Sequence, residues 1–146
     1  MKIEKIAYAE DFYGWLNTTA QLLRNRELSN VDFENIAEEL ESMGKSEKRE
    51  LASRLTVLLV HLLKWQYQPE NRSRSWENTI KIQRIEIEEL LEESPSLHYE
   101  VERVIDTAYR KARIGAEEET GIDQRHFPTT CPYAFEQLRD DEYYPA

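Results

Sequence analysis

Four polar residues stand where helical spacing demands apolar ones. Glu39 lies three residues after Ile36 and four before Met43, and Arg54 lies three after Leu51 and four before Leu58. His61 lies three after Leu58 and four before Trp65, and Arg84 lies four after Ile80 and three before Ile87. Residues at those separations share a helix face, so a carboxylate, two guanidinium groups and an imidazole are expected to point inward. An isolated charge is costly to bury, and such groups therefore come paired. The spacing predicts that Glu39 pairs with Arg54 or Arg84, with His61 nearby. One outcome of that arrangement is a salt-bridged lock that fixes helix register. The other is a polar pocket that takes an anionic ligand or performs acid–base chemistry.

Other chemistries are poorly supplied. A di-iron bundle needs Glu-x-x-His pairs, yet the residue three before His61 is Leu58, and His126 has only Asp123 at that distance. Cys131 precedes Pro132 at an expected helix start, a position that lowers a thiol pKa, but nucleophilic chemistry would also need His61 or His126 beside it. The four glycines stand apart at 14, 44, 115 and 121, so there is no glycine-rich phosphate cradle. No catalytic residue, cofactor or metal is assigned.

A second candidate is the stretch HLLKWQYQPENRSRSW, from His61 to Trp76. Lys64, Arg72 and Arg74 supply cations, and Trp65, Tyr67 and Trp76 supply rings. Those are the ingredients of a single-strand nucleic-acid platform, or of a surface for a protein partner through Lys64, Tyr67, Arg72 and Arg74. They are equally the ingredients of a helix corner. Both tryptophans fall on the inner stripes of the flanking helices, Tyr67 closes the corner, Pro69 stops one helix and a serine caps the next. The corner is the preferred reading.

These side chains are positioned by helices. Asp11 caps a first helix whose inner residues are Phe12, Trp15, Leu16, Thr19, Leu22 and Leu23, fading near Arg26. Ser29 or Asn30 caps a second, ended by Gly44. A third runs from about Ser46 to Gln66 on the stripe Leu51, Leu55, Leu58, Leu62 and Trp65, and is apolar nearly all round. Ser75 caps a fourth, which continues to about Glu93 with Trp76, Ile80, Ile87, Leu90 and Leu91 inside. Ser94-Pro95 opens a fifth with Leu97, Val101, Val104, Ile105, Ala108 and Ala112, weakened at Gly115 or ended at Gly121. The tail has a turn or two of helix to Leu138 and aromatic anchors. No strand signal is present, so the fold class is all-α: an antiparallel bundle of about five helices with a C-terminal aromatic tail wrapped on it, one domain over 1–146.

The chain has 146 residues and a formal net charge of −10, which disfavours a general nucleic-acid binder without excluding use of the basic hairpin 61–84. The charge is uneven. Residues 45–84 hold nine Lys or Arg and four Glu, residues 1–44 hold four basic against nine acidic, and residues 85–146 hold six against sixteen. A single cysteine excludes an internal disulfide and suits a reducing cytoplasm. The opening MKIEKIAYAEDF lacks the apolar run of a secretion signal. The most apolar stretch, Leu55 to Trp65, is too short for a bilayer, so no membrane association is expected.

In this order, the blocks DFYGWL, NIAEELESMGKSEKRELASRL, LLVHLLKWQYQPENRSRSW, SPSL and FPTTCPYAFEQL resemble the bacterial family known as domain of unknown function 29, from about Asp11 to Tyr144. The resemblance implies an all-helical domain, usually a small protein standing alone. It implies no activity and carries over no catalytic residue. The expected function is that of a cytoplasmic helical module binding another protein, with self-association as a further possibility. The alternatives are a small enzyme or anion-binding domain built on Glu39, Arg54, His61 and Arg84, and nucleic-acid binding through the hairpin.

Overall fold

The computed structural model describes residues 7–146, which divide into two compact units at Lys45 and Ser46. The expectation about a secretion signal falls largely on residues 1–6, outside the described residues. Among the described residues there are five α-helices and no strand: α1 (Phe12–Arg24), α2 (Phe33–Tyr67), α3 (Arg74–Glu93), α4 (Val101–Thr120) and α5 (Phe135–Arg139). None is long and apolar enough to cross a membrane.

In the first unit, Asp11 caps α1 as expected, its carboxylate accepting from the Gly14 N–H at 2.9 Å. Trp15, Thr19 and Leu22 are buried, one narrow face of the helix. The cap of α2 is Asp32 rather than Ser29 or Asn30. Its carboxylate accepts from the Asn35 N–H at 3.2 Å and from the Asn35 side-chain amide at 2.6 Å, while Ser29 and Asn30 belong to a preceding 3₁₀ turn.

Gly44 does not end a helix. The expected second and third helices are one continuous element, α2, of 35 residues. Gly44 keeps a negative φ, and a β-carbon there would meet nothing within 4 Å. Glycine weakens a helix interior without forbidding it, and neighbours such as Glu41, Met43, Lys45 and Glu47 carry the helix through.

The second unit is a bundle built on the C-terminal part of α2. Leu51, Leu55, Leu58, Leu59, Leu62 and Leu63 have no exposed surface, each stabilising the fold by roughly 2 kcal/mol through burial. Helix direction follows from the contacts. Arg54 reaches Glu86 and Lys64 covers Trp76, so α2 and α3 are antiparallel. Val60 lies against Gly115 and Lys64 reaches Glu119, so α2 and α4 run parallel. The order is therefore up, down, up. Gly115 does not weaken α4. A β-carbon there would stand 3.0 Å from the Val60 side chain, so the missing side chain lets α2 and α4 approach.

Punctuation elsewhere is close to expectation. Tyr67 ends α2, and Gln68 leaves the helical conformation ahead of Pro69, with φ −131 and ψ 62, because a proline disfavours the α region for the residue before it. Ser73, not Ser75, caps α3, accepting from the Trp76 N–H at 3.2 Å. Pro95 opens a 3₁₀ turn over Pro95–Glu100, and α4 follows it directly. Gly121 ends α4 in the left-handed region, with φ 76, where only glycine sits without strain.

The tail wraps on the bundle through its rings. Phe127, Tyr133 and Leu138 are buried, and Phe135, Tyr143 and Tyr144 pack against the core. Tyr67 meets Phe127 edge-on at 5.0 Å, and Trp65 meets Tyr144 at 4.9 Å. The Tyr109 hydroxyl donates to the Pro128 carbonyl at 2.6 Å, and burial pushes that phenol up to about 12, so it remains a donor. Tyr109→Phe keeps the ring and orphans the carbonyl. It is expected to cost about 1 kcal/mol in urea denaturation, and an unchanged midpoint would refute this anchor.

Candidate functional site

The four inward polar residues each have their own partners. Glu39 accepts a hydrogen bond from the Tyr8 hydroxyl, inside the first unit, and that bond holds the Tyr8 phenol above its ordinary pKa. Arg54 is half-buried and meets Glu50 at 3.6 Å and Glu86 at 3.9 Å. His61 directs Nδ1 to the Val57 carbonyl at 2.8 Å, and partial burial lowers its pKa. Arg84 is buried, with 2% of its surface exposed. Pairing of Glu39 with Arg54 or Arg84 is thus replaced by other contacts. It presupposed a chain reversal at Gly44, and α2 does not turn there.

Arg84 is the residue whose inward position carries most weight. Its Nε donates to the Leu138 carbonyl at 2.9 Å, and one terminal nitrogen donates to Gln137 at 3.2 Å and Tyr143 at 2.8 Å. The Tyr144 ring lies 5.5 Å from the guanidinium. Burial lowers the pKa of the group, yet an arginine stays charged under ordinary conditions. The cation therefore answers the carbonyls that close α5, which carry partial negative charge. Beside it, Arg139 forks onto Glu88 at 2.7 and 3.1 Å, which lowers the Glu88 pKa. Together the two arginines fasten the tail to α3.

At the His61–Trp76 stretch, the geometry is that of a corner. Lys64 is buried to 7% exposure, its Nζ 3.1 Å from Glu119 and 4.6 Å from the Trp76 ring. Arg72 donates from Nε to the Trp65 carbonyl at 2.8 Å, lies 5.0 Å over the Trp65 ring, and reaches the Pro145 carbonyl at 3.5 Å. Tyr67 is half-buried against Phe127, and Arg74 is exposed. Of the surface-binding candidates Lys64, Tyr67, Arg72 and Arg74, three are engaged by the fold itself.

Cys131 does not open a helix, since α5 begins at Phe135. Its thiol lies 3.4 Å from the Tyr133 carbonyl, and burial raises its pKa, the opposite of nucleophile activation. Among the described residues, no group of three or more His, Cys, Asp or Glu is placed to hold a metal ion.

The feature that the spacing argument missed lies in the first unit. Phe12, Leu16 and Leu23, expected to be inward, are exposed. So are Phe33, Leu40 and Met43 at 58%, 63% and 64%. With half-buried Ile36, these last three form one stripe at spacings of three, four and three on α2. Helical spacing reveals that a stripe is apolar; it does not reveal whether the chain itself covers the stripe. On roughly the opposite side of the helix, by its 100° per residue, stand Glu34, Glu38 and Glu41, all exposed and without an ion-pair partner among the described residues.

A family model described as "Domain of unknown function DUF29" matches residues 7–144. No curated protein and no solved structure matches the chain.

Proposed function

Because the chain belongs to the DUF29 family, whose description assigns no activity, we propose from its surfaces that it is a cytoplasmic module that binds another protein. What carries the reading is the open apolar stripe of Phe33, Leu40 and Met43. Large apolar side chains clustered on a folded surface are costly in water and mark sites of contact. The second unit, by contrast, places its long apolar stripe, from Leu51 to Leu62, wholly inside. The single thiol and the absence of any disulfide suit a reducing compartment.

The competing readings draw less support. An enzyme or anion site on Glu39, Arg54, His61 and Arg84 would need them to converge, and each is engaged elsewhere. Nucleic-acid binding through hairpin 61–84 would need free cations, and Lys64 and Arg72 are committed to Glu119 and to backbone carbonyls.

The test compares the wild-type chain with Phe33→Ser/Leu40→Ser as bait in the native cell. Both positions are exposed, so thermal unfolding is expected to change little. A protein that co-purifies stoichiometrically with the wild type and is lost from the variant supports the reading. Identical captured material, or nucleic acid that persists with both baits, overturns it.

A further inference from the structure

Resting on the protein-binding reading, we infer that the protein seated on the Phe33–Met43 face is a second copy of this chain, the two α1–α2 hairpins meeting face to face as a four-helix bundle. A short link, Asn25 to Asp32, joins α1 to the start of α2, and short links make neighbouring helices antiparallel. Tyr8 marks the side on which they meet. It packs edge-on against Trp15 at 4.8 Å and donates to Glu39 on α2. Exposed Phe12, Leu16 and Leu23 stand about 70° round α1 from buried Trp15, Thr19 and Leu22. Exposed Phe33, Leu40 and Met43 stand about 90° round α2 from Glu39, turned in the same sense. In antiparallel helices the same sense of rotation leads to the same side, so the two rows form one apolar face of the hairpin.

That face has the extent a dimer needs. Its six large side chains keep between about two fifths and two thirds of their surface open, roughly 100 Å² each and about 600 Å² together at the size of a large side chain. Two copies would bury about 1,200 Å² of it, above the roughly 1,000 Å² of a specific interface before any polar rim is added. It also has the neutrality. A two-fold contact sets each patch against itself, which a charged face would resist. No charged residue occurs from Phe12 to Leu23. Glu34, Glu38 and Glu41 stand on roughly the opposite side of α2 and stay out of the contact, while Glu39, beside the row, is tied to Tyr8. Finally, the unit has little core of its own: Trp15, Thr19 and Leu22 are the buried residues among those described in it. Units that small usually draw on a disulfide, a metal or association. Residues 1–45 contain neither Cys nor His, and association is the device their apolar face supplies.

Sedimentation equilibrium of the full chain should show a monomer–dimer equilibrium. Leu16→Ser/Leu40→Ser changes one exposed position on each helix and removes four leucines from each dimer contact. It should raise the dissociation constant roughly a hundredfold or more. Ile82→Ser/Ile85→Ser alters an exposed apolar pair on α3 and should leave that constant unchanged. A measurement without substitution uses an equal mixture of isotope-labelled and unlabelled chain. Filtered NOEs should connect the Leu40 and Met43 methyls of one copy to aromatic rings of the α1–α2 hairpin in the other. Capture from the native cell with a tagged chain should return the untagged chain itself.

A wild-type chain that stays monomeric at every concentration, yet captures a different protein that Phe33→Ser/Leu40→Ser loses, would overturn the second copy and leave the protein-binding reading standing. A dimer indifferent to Leu16→Ser/Leu40→Ser, or one dissociated by Ile82→Ser/Ile85→Ser, would place the contact elsewhere and overturn the hairpin pairing. A monomer that binds lipid vesicles only while Leu16 and Leu40 are present would replace the second copy with a membrane. A monomer whose captured material is indifferent to Phe33→Ser/Leu40→Ser would remove both readings.

Discussion

Arg84→Met is expected to destabilise the unit over residues 46–146 by about 3 kcal/mol, the scale of removing one partner from a buried charged contact. Methionine fills much of the same volume, so the loss is not mainly one of packing. It arises because the carbonyls of Leu138 and Tyr143 lose their donor, while that of Gln137 keeps only the Asp140 N–H at 3.3 Å, and the two orphaned groups must either stay unpaired or leave the core for water. They are expected to leave. Hydrogen exchange should show lost protection across residues 137–145, while Leu55 to Leu63 at the centre of α2 stay protected. The melting temperature should fall by roughly 10 °C. Arg84→Lys retains charge but offers one nitrogen in place of a planar fork, and should recover only part of the loss. A methionine variant as stable as the wild type, with the tail still protected, would show that Arg84 does not hold it.

Gly44 gives the second large effect, and its sign is diagnostic. Inside a continuous helix, Gly44→Pro removes the bond to the Leu40 carbonyl and forces the ring against it, at about 3 kcal/mol or more. Gly44→Ala should act in the opposite direction, stabilising by about 1 kcal/mol, because a β-carbon there meets nothing within 4 Å. Were Gly44 a left-handed helix end, alanine would destabilise instead. Exchange rates and carbon chemical shifts of residues 40–48 read both variants. Alanine that loosens these amides would refute the unbroken α2.

Much of this architecture is written in local chemistry. Asp11 and Gly121 end helices because a short carboxylate answers free N–H groups and glycine tolerates positive φ. Leu51, Leu55, Leu58 and Leu62 announce the buried face by spacing alone. Failures occur where two local solutions compete and a distant contact chooses. Ser73 and Ser75 are chemically alike as caps; the longer α3 starts at Arg74 and places Trp76 under Lys64. Gly44 suits a helix end or a tolerated interior position, and a single sequence does not say which. The candidate site was half legible. The stripe correctly sent Arg84 inward, but its acceptors are main-chain carbonyls, which every residue possesses and no residue type advertises. Conversely, Phe12, Leu16, Phe33, Leu40 and Met43 carry the pattern of a core without being one, since what covers a face is a property of the folded whole.

The fastening of the tail by Arg84 also imposes an order on biosynthesis. Chains emerge from their N-terminus, so this guanidinium leaves the ribosome more than fifty residues before the carbonyls it needs at 137, 138 and 143. During that interval the nascent bundle has a cation directed at its interior with no acceptor, and water must serve it. Completion of the hydrophobic centre therefore waits on the synthesis of residues 137 to 143, and a polypeptide cut short just before Gln137 would remain a hydrated, unfinished intermediate.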